Sequence, residues 1–373
     1  MTLYYGITIW FFILLVLGLR PDAARAAEAW PAPPQDAAAR RNRNIVNVLV
    51  LFSLLMLWFL TGFRSAAIGN DTGAFLNYFD RFSGGVDRTI KTELGYQLLN
   101  YLIGRITLDH HAFLIIMATI MYGGVGLYLF KYAHNTAVSA CLFFALFFSP
   151  FVAMYRQGVA MVIALYGYQL LKNGKRIAAA LVFLLATSFH MSALVCFLLF
   201  FDLKILGKRW FVFLMAAVCA LIAASGALRA AVELILPRYA HYFESRYAST
   251  GWLAVSYYLI SYLVLYFFVS GSVIPGHRPD RVAAAAAAFL VFFAAFGYAV
   301  NVFTRAGEYF LLIAVTEFPN MMYRKKIKNY RFWLLAVCTV FLLMFLATLL
   351  FRPGWNHLYP YEFWQGAAAA VGA

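Results

Sequence analysis

Between Ser149 and Ala193 the chain reads SPFVAMYRQGVAMVIALYGYQLLKNGKRIAAALVFLLATSFHMSA, an apolar run into which Arg156, Gln157 and His190 are set. A guanidinium and an imidazole among apolar residues cost free energy unless they face a cavity or a partner, so they mark a functional site. Two kinds of chemistry follow from those residue types. Arginine's planar fork binds anions bidentately, and imidazole takes or gives a proton near neutral pH. Only the basic turn Lys172-Asn173-Gly174-Lys175-Arg176 interrupts the run. With that turn in the cytoplasm, the segments on either side of it deliver Arg156 and His190 to the same opposite face.

The elements that must position them are membrane helices. The chain is 64% hydrophobic and 12% charged, with a mean hydropathy of +0.77, far more apolar surface than a soluble domain of 373 residues hides. The fold class expected is all-α, a polytopic integral membrane protein with about 12 transmembrane or half-spanning helices. Cys141, Cys196, Cys219 and Cys338 lie inside apolar runs without metal-type spacing and read as packing residues, so no metal site and no cofactor is expected. The formal charge of +15 finds no soluble domain to carry it, which argues against nucleic acid and for membrane topology and phosphate chemistry.

Residues 1–44 form a first part: an apolar segment at Leu3–Leu19, expected to be a retained helix, and a flexible cytoplasmic loop rich in Pro, Ala and Arg at 20–44. Residues 45–363 form a polytopic core, and 364–373 a short tail. The core's apolar segments fall near 45–63, 111–130, 137–154, 157–171, 176–188, 190–203, 210–228, 252–273, 281–303, 308–322 and 332–351. Several fall short of the roughly 20 residues a perpendicular span needs. Short pairs meeting at Arg156 and at His190 suggest helices that end in a cavity open to the periplasmic side. Reading 176–203 as a hairpin places most Lys and Arg, including Arg324–Arg331, on the cytoplasmic side, as the positive-inside rule requires.

The outer side then carries Arg64, Arg81, Arg88, Arg105, Arg156, Arg229, Arg238, Arg246, Arg305 and Arg352, with Lys91 the one lysine. That preference fits a phosphate-bearing ligand. Two outer loops are long. Residues 64–110 hold the turn-like Gly69-Asn70-Asp71-Thr72, then Glu93–Ile106. Leu94, Leu98, Leu99, Leu102, Ile103 and Ile106 form one stripe there, suited to an interfacial helix or a lid. Residues 229–251 interleave aromatic and charged side chains, a pattern suited to sugar stacking and also to an aromatic belt.

No Walker loop, GxGxxG, HExxH or closely spaced Asp pair is present, so a cytosolic nucleotide-sugar donor lacks a visible site. Six blocks carry a resemblance instead: GFRSAAIGNDTGAFLNYF (Gly62–Phe79), ELGYQLLN (Glu93–Asn100), YRQGVAMVIALY (Tyr155–Tyr166), SFHMSALV (Ser188–Val195), RAGEYFLLIAVTEFPN (Arg305–Asn320) and YPYEF (Tyr359–Phe363). In that order they resemble the EpsG-type exopolysaccharide polymerases, whose role is similar to that of Wzy O-antigen polymerases. The resemblance implies a multi-pass protein of the bacterial inner membrane. Such a protein joins oligosaccharide repeat units carried on undecaprenyl diphosphate at a site facing the periplasm. Its other partners would be membrane lipids and the chain-length regulator and flippase of the same pathway.

On that implication Arg64, Arg156 and Arg305 are the diphosphate candidates, because a departing diphosphate gathers negative charge that fixed arginines stabilise. Arginines at helix ends also snorkel to headgroups. His190 is the candidate base for the acceptor hydroxyl, with Asp71 and Glu93 as competing carboxylates. Gln157 and Tyr309, in the same blocks, are candidates for other substrate contacts. Glu308, three residues after Arg305, fits a structural ion pair. Glu317, just before Pro319, is expected to be protonated or hydrogen-bonded at a helix break. A lipid-linked oligosaccharide flippase or transporter, and a glycan ligase, are the alternative functions.

Overall fold

The computed structural model describes residues 1–21, 37–201, 203–235, 243, 262–270, 280–297, 302–324 and 327–365. The described residues contain helices and no strand. By length and composition four helices can cross a membrane: Ala37–Gly62, His110–Tyr132, Thr136–Ala153 and Tyr330–Phe351. A fifth span results if Arg209–Ala224 and Ala227–Ile235, bent by 76° at their junction, count as one. Of the other expected segments, Thr2–Gly18, Arg176–Phe189, Arg281–Gly297 and a 3₁₀ stretch at Met191–Phe200 are shorter than these. Segments 157–171 and 308–322 lie within the helices Tyr155–Lys172 and Val302–Arg324, and 252–261 and 271–273 lie outside the described residues. A helix of 14 residues is about 21 Å long, too short for a hydrocarbon core of about 30 Å.

In chain order the α-helices are α1 Thr2–Gly18, α2 Ala37–Gly62, α3 Thr72–Phe82, α4 Leu94–Gly104, α5 His110–Tyr132, α6 Thr136–Ala153 and α7 Tyr155–Lys172. Then follow α8 Arg176–Phe189, α9 Arg209–Ala224, α10 Ala227–Ile235, α11 Arg281–Gly297, α12 Val302–Arg324 and α13 Tyr330–Phe351. Several boundaries differ from the sequence expectation. Residues 37–44, expected in a loop, are the first turns of α2, since its Ala and Arg residues are good helix formers. Residues 22–36 lie outside the described residues. The first long outer loop contains α3 as well as α4. In the second, 229–235 belong to α10, and Arg238, Tyr239, His241, Tyr242, Glu244, Arg246 and Tyr247 lie outside the described residues.

The chain divides into two compact units. The first comprises Met1–Ile163, Leu184–Met191 and Met322–Ala373, and the second Ala164–Phe183 and Ser192–Met321. The first is built on α6, apolar all round its circumference and therefore enclosed by neighbours. Helices α1, α2, α5 and α13 pack on it. Phe11 stacks on Phe144 with ring centroids 4.3 Å apart, and Phe345 closes on the same ring at 4.7 Å. Asn135 ties three elements at its N-terminus. Its Oδ1 accepts the Val138 amide, while Nδ2 donates to Gly18 O at 2.8 Å and Tyr323 Oη at 2.7 Å. Helix α6 ends just after Pro150, and Met154 separates it from α7.

After α13 the chain returns as a strap. Trp364 N donates to Phe63 O, Ser65 N to Glu362 O, and Gly69 N to His357 O. Tyr361 Oη adds a bond to Leu60 O at 2.7 Å. The blocks Gly62–Phe79 and Tyr359–Phe363, far apart in sequence, thus lie against each other.

In the second unit the chain reverses between α8 and the 3₁₀ stretch. Arg176 Nη2 donates to Phe200 O at 3.2 Å, and Phe183 packs on Phe197 and Phe200. Residues 176–201 therefore double back on themselves, with His190, which belongs to the first unit, between the two arms. Helices α9 and α11 pack together, the Ala283–Ala288 run permitting close approach. Lys172 Nζ donates to Glu317 Oε1 at 2.5 Å and lies 3.4 Å from Asp280 Oδ2. Glu317 is accordingly hydrogen-bonded, as expected, but α12 continues through Pro319 without the expected break.

Candidate functional site

Glu93 stands where three elements meet in the first unit. It is the N-cap residue of α4, in extended conformation, and its side chain does not cap its own helix. The loop before it is pinned by Gln97, which accepts the Asp87 amide and donates to Thr92 O, each at 3.0 Å. Glu93 Oε2 accepts Arg156 Nη1 at 2.8 Å. Glu93 Oε1 lies 3.2 Å from His190 Nδ1 and accepts the Met191 amide at 3.0 Å. The Gly95 backbone packs so tightly on Ser188 that a Cβ there would fall 2.3 Å from Ser188 Oγ and 2.7 Å from its carbonyl oxygen. Glycine is what lets the start of α4 reach the end of α8.

The cluster is largely withdrawn from solvent, with side chains of Glu93, His190 and Arg156 exposed by 14%, 21% and 26%. Burial works to raise the Glu93 pKa. The His190 hydrogen bond, the Arg156 charge and the Met191 amide outweigh it and bring the pKa down to about 2. Glu93 is therefore a fixed carboxylate. A general base needs a pKa nearer the working pH, so Glu93 is poorly suited to that role and well suited to orienting His190. A hydrogen bond from Nδ1 of a neutral imidazole leaves Nε2 as its proton acceptor.

Arg156 sits in the first turn of α7, where a cation opposes the helix dipole. Glu93 offsets that cost, and the guanidinium lies 5.7 Å from the Tyr78 ring centroid and 5.8 Å from that of Tyr96. Among the described residues only its Nη1 makes a hydrogen bond, so the rest of the fork is available to an anion. Tyr78 and Tyr96 were not singled out from the sequence, although both lie in the quoted blocks. Their position beside Arg156 depends on the packing of α3 on α4.

Arg64 is different. It is fully buried, and all five of its N–H donors meet protein acceptors. Nε donates to Ile68 O, Nη1 to Thr61 O and Tyr155 Oη, and Nη2 to Thr72 Oγ1 and Val152 O. Thr61 and Val152 lie at the ends of α2 and α6, whose last carbonyls have no partner within the helix. Arg64 satisfies two helix ends at once, so the diphosphate role expected of it finds no donor left to perform it.

Asp71 is the half-buried N-cap residue of α3, without a side-chain capping bond. No hydrogen bond or ion pair among the described residues links it to Glu93, Arg156 or His190. Gln157 is buried beside Arg156 in the first turn of α7. Arg305 and Tyr309 belong to the second unit. Arg305 is half-buried in the first turn of α12, with Glu308 buried one turn on. Tyr309 Oη lies 3.1 Å from Ser192 Oγ.

The EpsG family model matches residues 47–363 of the chain. No curated protein and no solved structure matches it at a significant level.

Proposed function

Because the chain belongs to the EpsG family, an exopolysaccharide polymerase-type family of membrane proteins, we propose that it is a glycosyltransferase acting on lipid-linked oligosaccharides. It joins repeat units carried on undecaprenyl diphosphate, at a site on the periplasmic face of the bacterial inner membrane. The observation that carries this reading is the Arg156–Glu93–His190 cluster, which couples an anion-binding fork to an oriented imidazole.

In the reaction the acceptor hydroxyl oxygen forms a new bond to the anomeric carbon of the donor sugar, and the carbon–oxygen bond to the diphosphate breaks. The electron pair leaves on the diphosphate oxygen, where the uncommitted donors of Arg156 stabilise it. The hydroxyl proton passes to His190 Nε2, and the Glu93 carboxylate stabilises the imidazolium that forms. Tyr78 and Tyr96 hold the guanidinium in place. Arg305, Tyr309 and Gln157 are assigned to other substrate contacts, and Asp71 is the alternative base.

Purified protein in liposomes, given lipid-linked donor and acceptor on one face, tests the reading. A polymerase makes a ladder of products, whereas a flippase has nothing to do there. Lipid movement between leaflets without polymer would overturn the reading. In a deletion strain, single capped repeats indicate the polymerase, and full-length chains left on the lipid indicate a ligase.

A further inference from the structure

Helix α4 is built inside out. Leu94, Leu98 and Leu102, four residues apart on one face, are 58%, 46% and 52% exposed, and Ile106 just beyond the helix is 79% exposed. The opposite face buries Tyr96, Gln97 and Asn100. The stripe expected from the sequence exists, but Ile103 turns inward, and the leucine row faces outward instead of covering the protein. Apolar residues outside and polar ones inside suit a helix bordered by hydrocarbon.

The neighbouring surface has the opposite character. The exposed residues of α3, which packs on α4, include Asn77, Asp80 and Arg81. The larger exposed side chains are thus polar on α3 and apolar on α4. At the N-terminal end of the leucine row stand Glu93 and, through it, the Arg156 fork. Behind the row, the Tyr96 hydroxyl and the Asn100 side chain are buried beside each other, and the Tyr96 ring lies 5.8 Å from the Arg156 guanidinium.

We propose that the outer face of α4 is the docking track for the polyprenyl chain of a lipid-linked diphosphate whose charged head lies at Arg156. The assignment rests on the polymerase reading and goes beyond it by naming the surface that holds the lipid. A ligand with a long apolar tail and a diphosphate matches the order of the features, leucine row and then arginine fork. An ordinary phospholipid offers the fork a single phosphodiester and shorter tails, and a second copy of the chain would match the leucine row alone.

The test uses full-length protein in nanodiscs with a polyprenyl diphosphate bearing a photoactivatable group in its isoprenoid chain, and the labelled peptides are mapped. Labelling should concentrate on residues 94–106 and be displaced by unlabelled polyprenyl diphosphate but not by phosphatidylglycerol. The double substitution Leu98→Asn/Leu102→Asn should lower it at least fivefold, while Leu127→Asn, at a 70% exposed position on α5, leaves it unchanged. Leu98→Ala/Leu102→Ala keeps the face apolar but smaller, and should give an intermediate loss even if the Asn variant fails to fold. Equal labelling of every lipid-exposed helix, displacement by phosphatidylglycerol, or cross-linking between two protein copies would each overturn the proposal. Labelling on α4 in protein that makes no polymer would uphold the track and remove the polymerase reading instead.

Discussion

Glu93 Oε1 stands 3.2 Å from Nδ1 of His190, a residue 97 positions further along the chain. The contact joins the N-cap of one helix to the break at the end of another. It gives the imidazole a definite orientation.

His190→Ala should lower turnover by about 10²–10⁴-fold, the usual worth of proton-transfer assistance. Donor binding should change little, so the loss appears in kcat and not in KM. Steady-state kinetics on lipid-linked substrate checks this. A wild-type rate would move the base to Asp71.

Glu93→Gln keeps the shape but removes the charge beside the imidazole. The acid limb of the rate profile should shift to lower pH, because a carboxylate favours the imidazolium. Stability responds as well. The folded-state pKa of Glu93, about 2, lies below the ordinary 4.5, so its stabilisation is fully present above about 4.5 and is lost as pH falls from there towards 2. The shift corresponds to an upper bound of about 3 kcal/mol, at 1.36 kcal/mol per unit. Thermal unfolding in detergent should show wild type and Glu93→Gln apart at pH 7 and converging near pH 2.

Arg156→Lys and Arg64→Lys should fail in different ways. The first retains charge but loses the fork and its seat between two rings, so activity falls severely while the protein expresses and melts normally. The second leaves several buried acceptors without donors at about 1–3 kcal/mol each, so folded protein is lost. Size-exclusion profiles alongside activity separate the two.

Gly95→Ala should push α4 away from α8, since the added carbon meets a backbone carbonyl that cannot rotate aside. Overpacking of this kind costs about 1–3 kcal/mol. Activity should fall further than stability alone explains, because the displacement separates Glu93 from His190. Adding Ser188→Ala removes the hydroxyl clash but not the carbonyl one, so rescue should be partial.

A cysteine at position 173, in a background without Cys141, Cys196, Cys219 and Cys338, should resist membrane-impermeant reagents applied to intact cells. Modification there from outside would reverse the proposed topology and place the site in the cytoplasm.

The helical segments were legible because apolar runs and basic turns are local. The break at His190 could be read from segment length and charge asymmetry, and the hairpin contact of Arg176 with Phe200 bears it out. The pairing of Glu93 with Arg156 was not legible. Nothing local in ELGYQLLN says which of many arginines its carboxylate will meet. Arg64 misled for the same reason: its partners Tyr155 and Val152 come from about 90 positions away, and only packing shows that its donors are spent. The start of α2 was missed because Arg and Asn between Ala residues read equally well as loop or as helix.

The strap over Arg64 has a consequence for how the protein is made. Residues 357–364 leave the ribosome well after residues 60–69, to which they bond and which reach the membrane long before. The unit that holds the cluster therefore stays open at one edge until residues 357–364 emerge. A ribosome that stalls or terminates upstream of Trp355 leaves behind a protein whose helices have inserted but whose first unit lacks its closing segment.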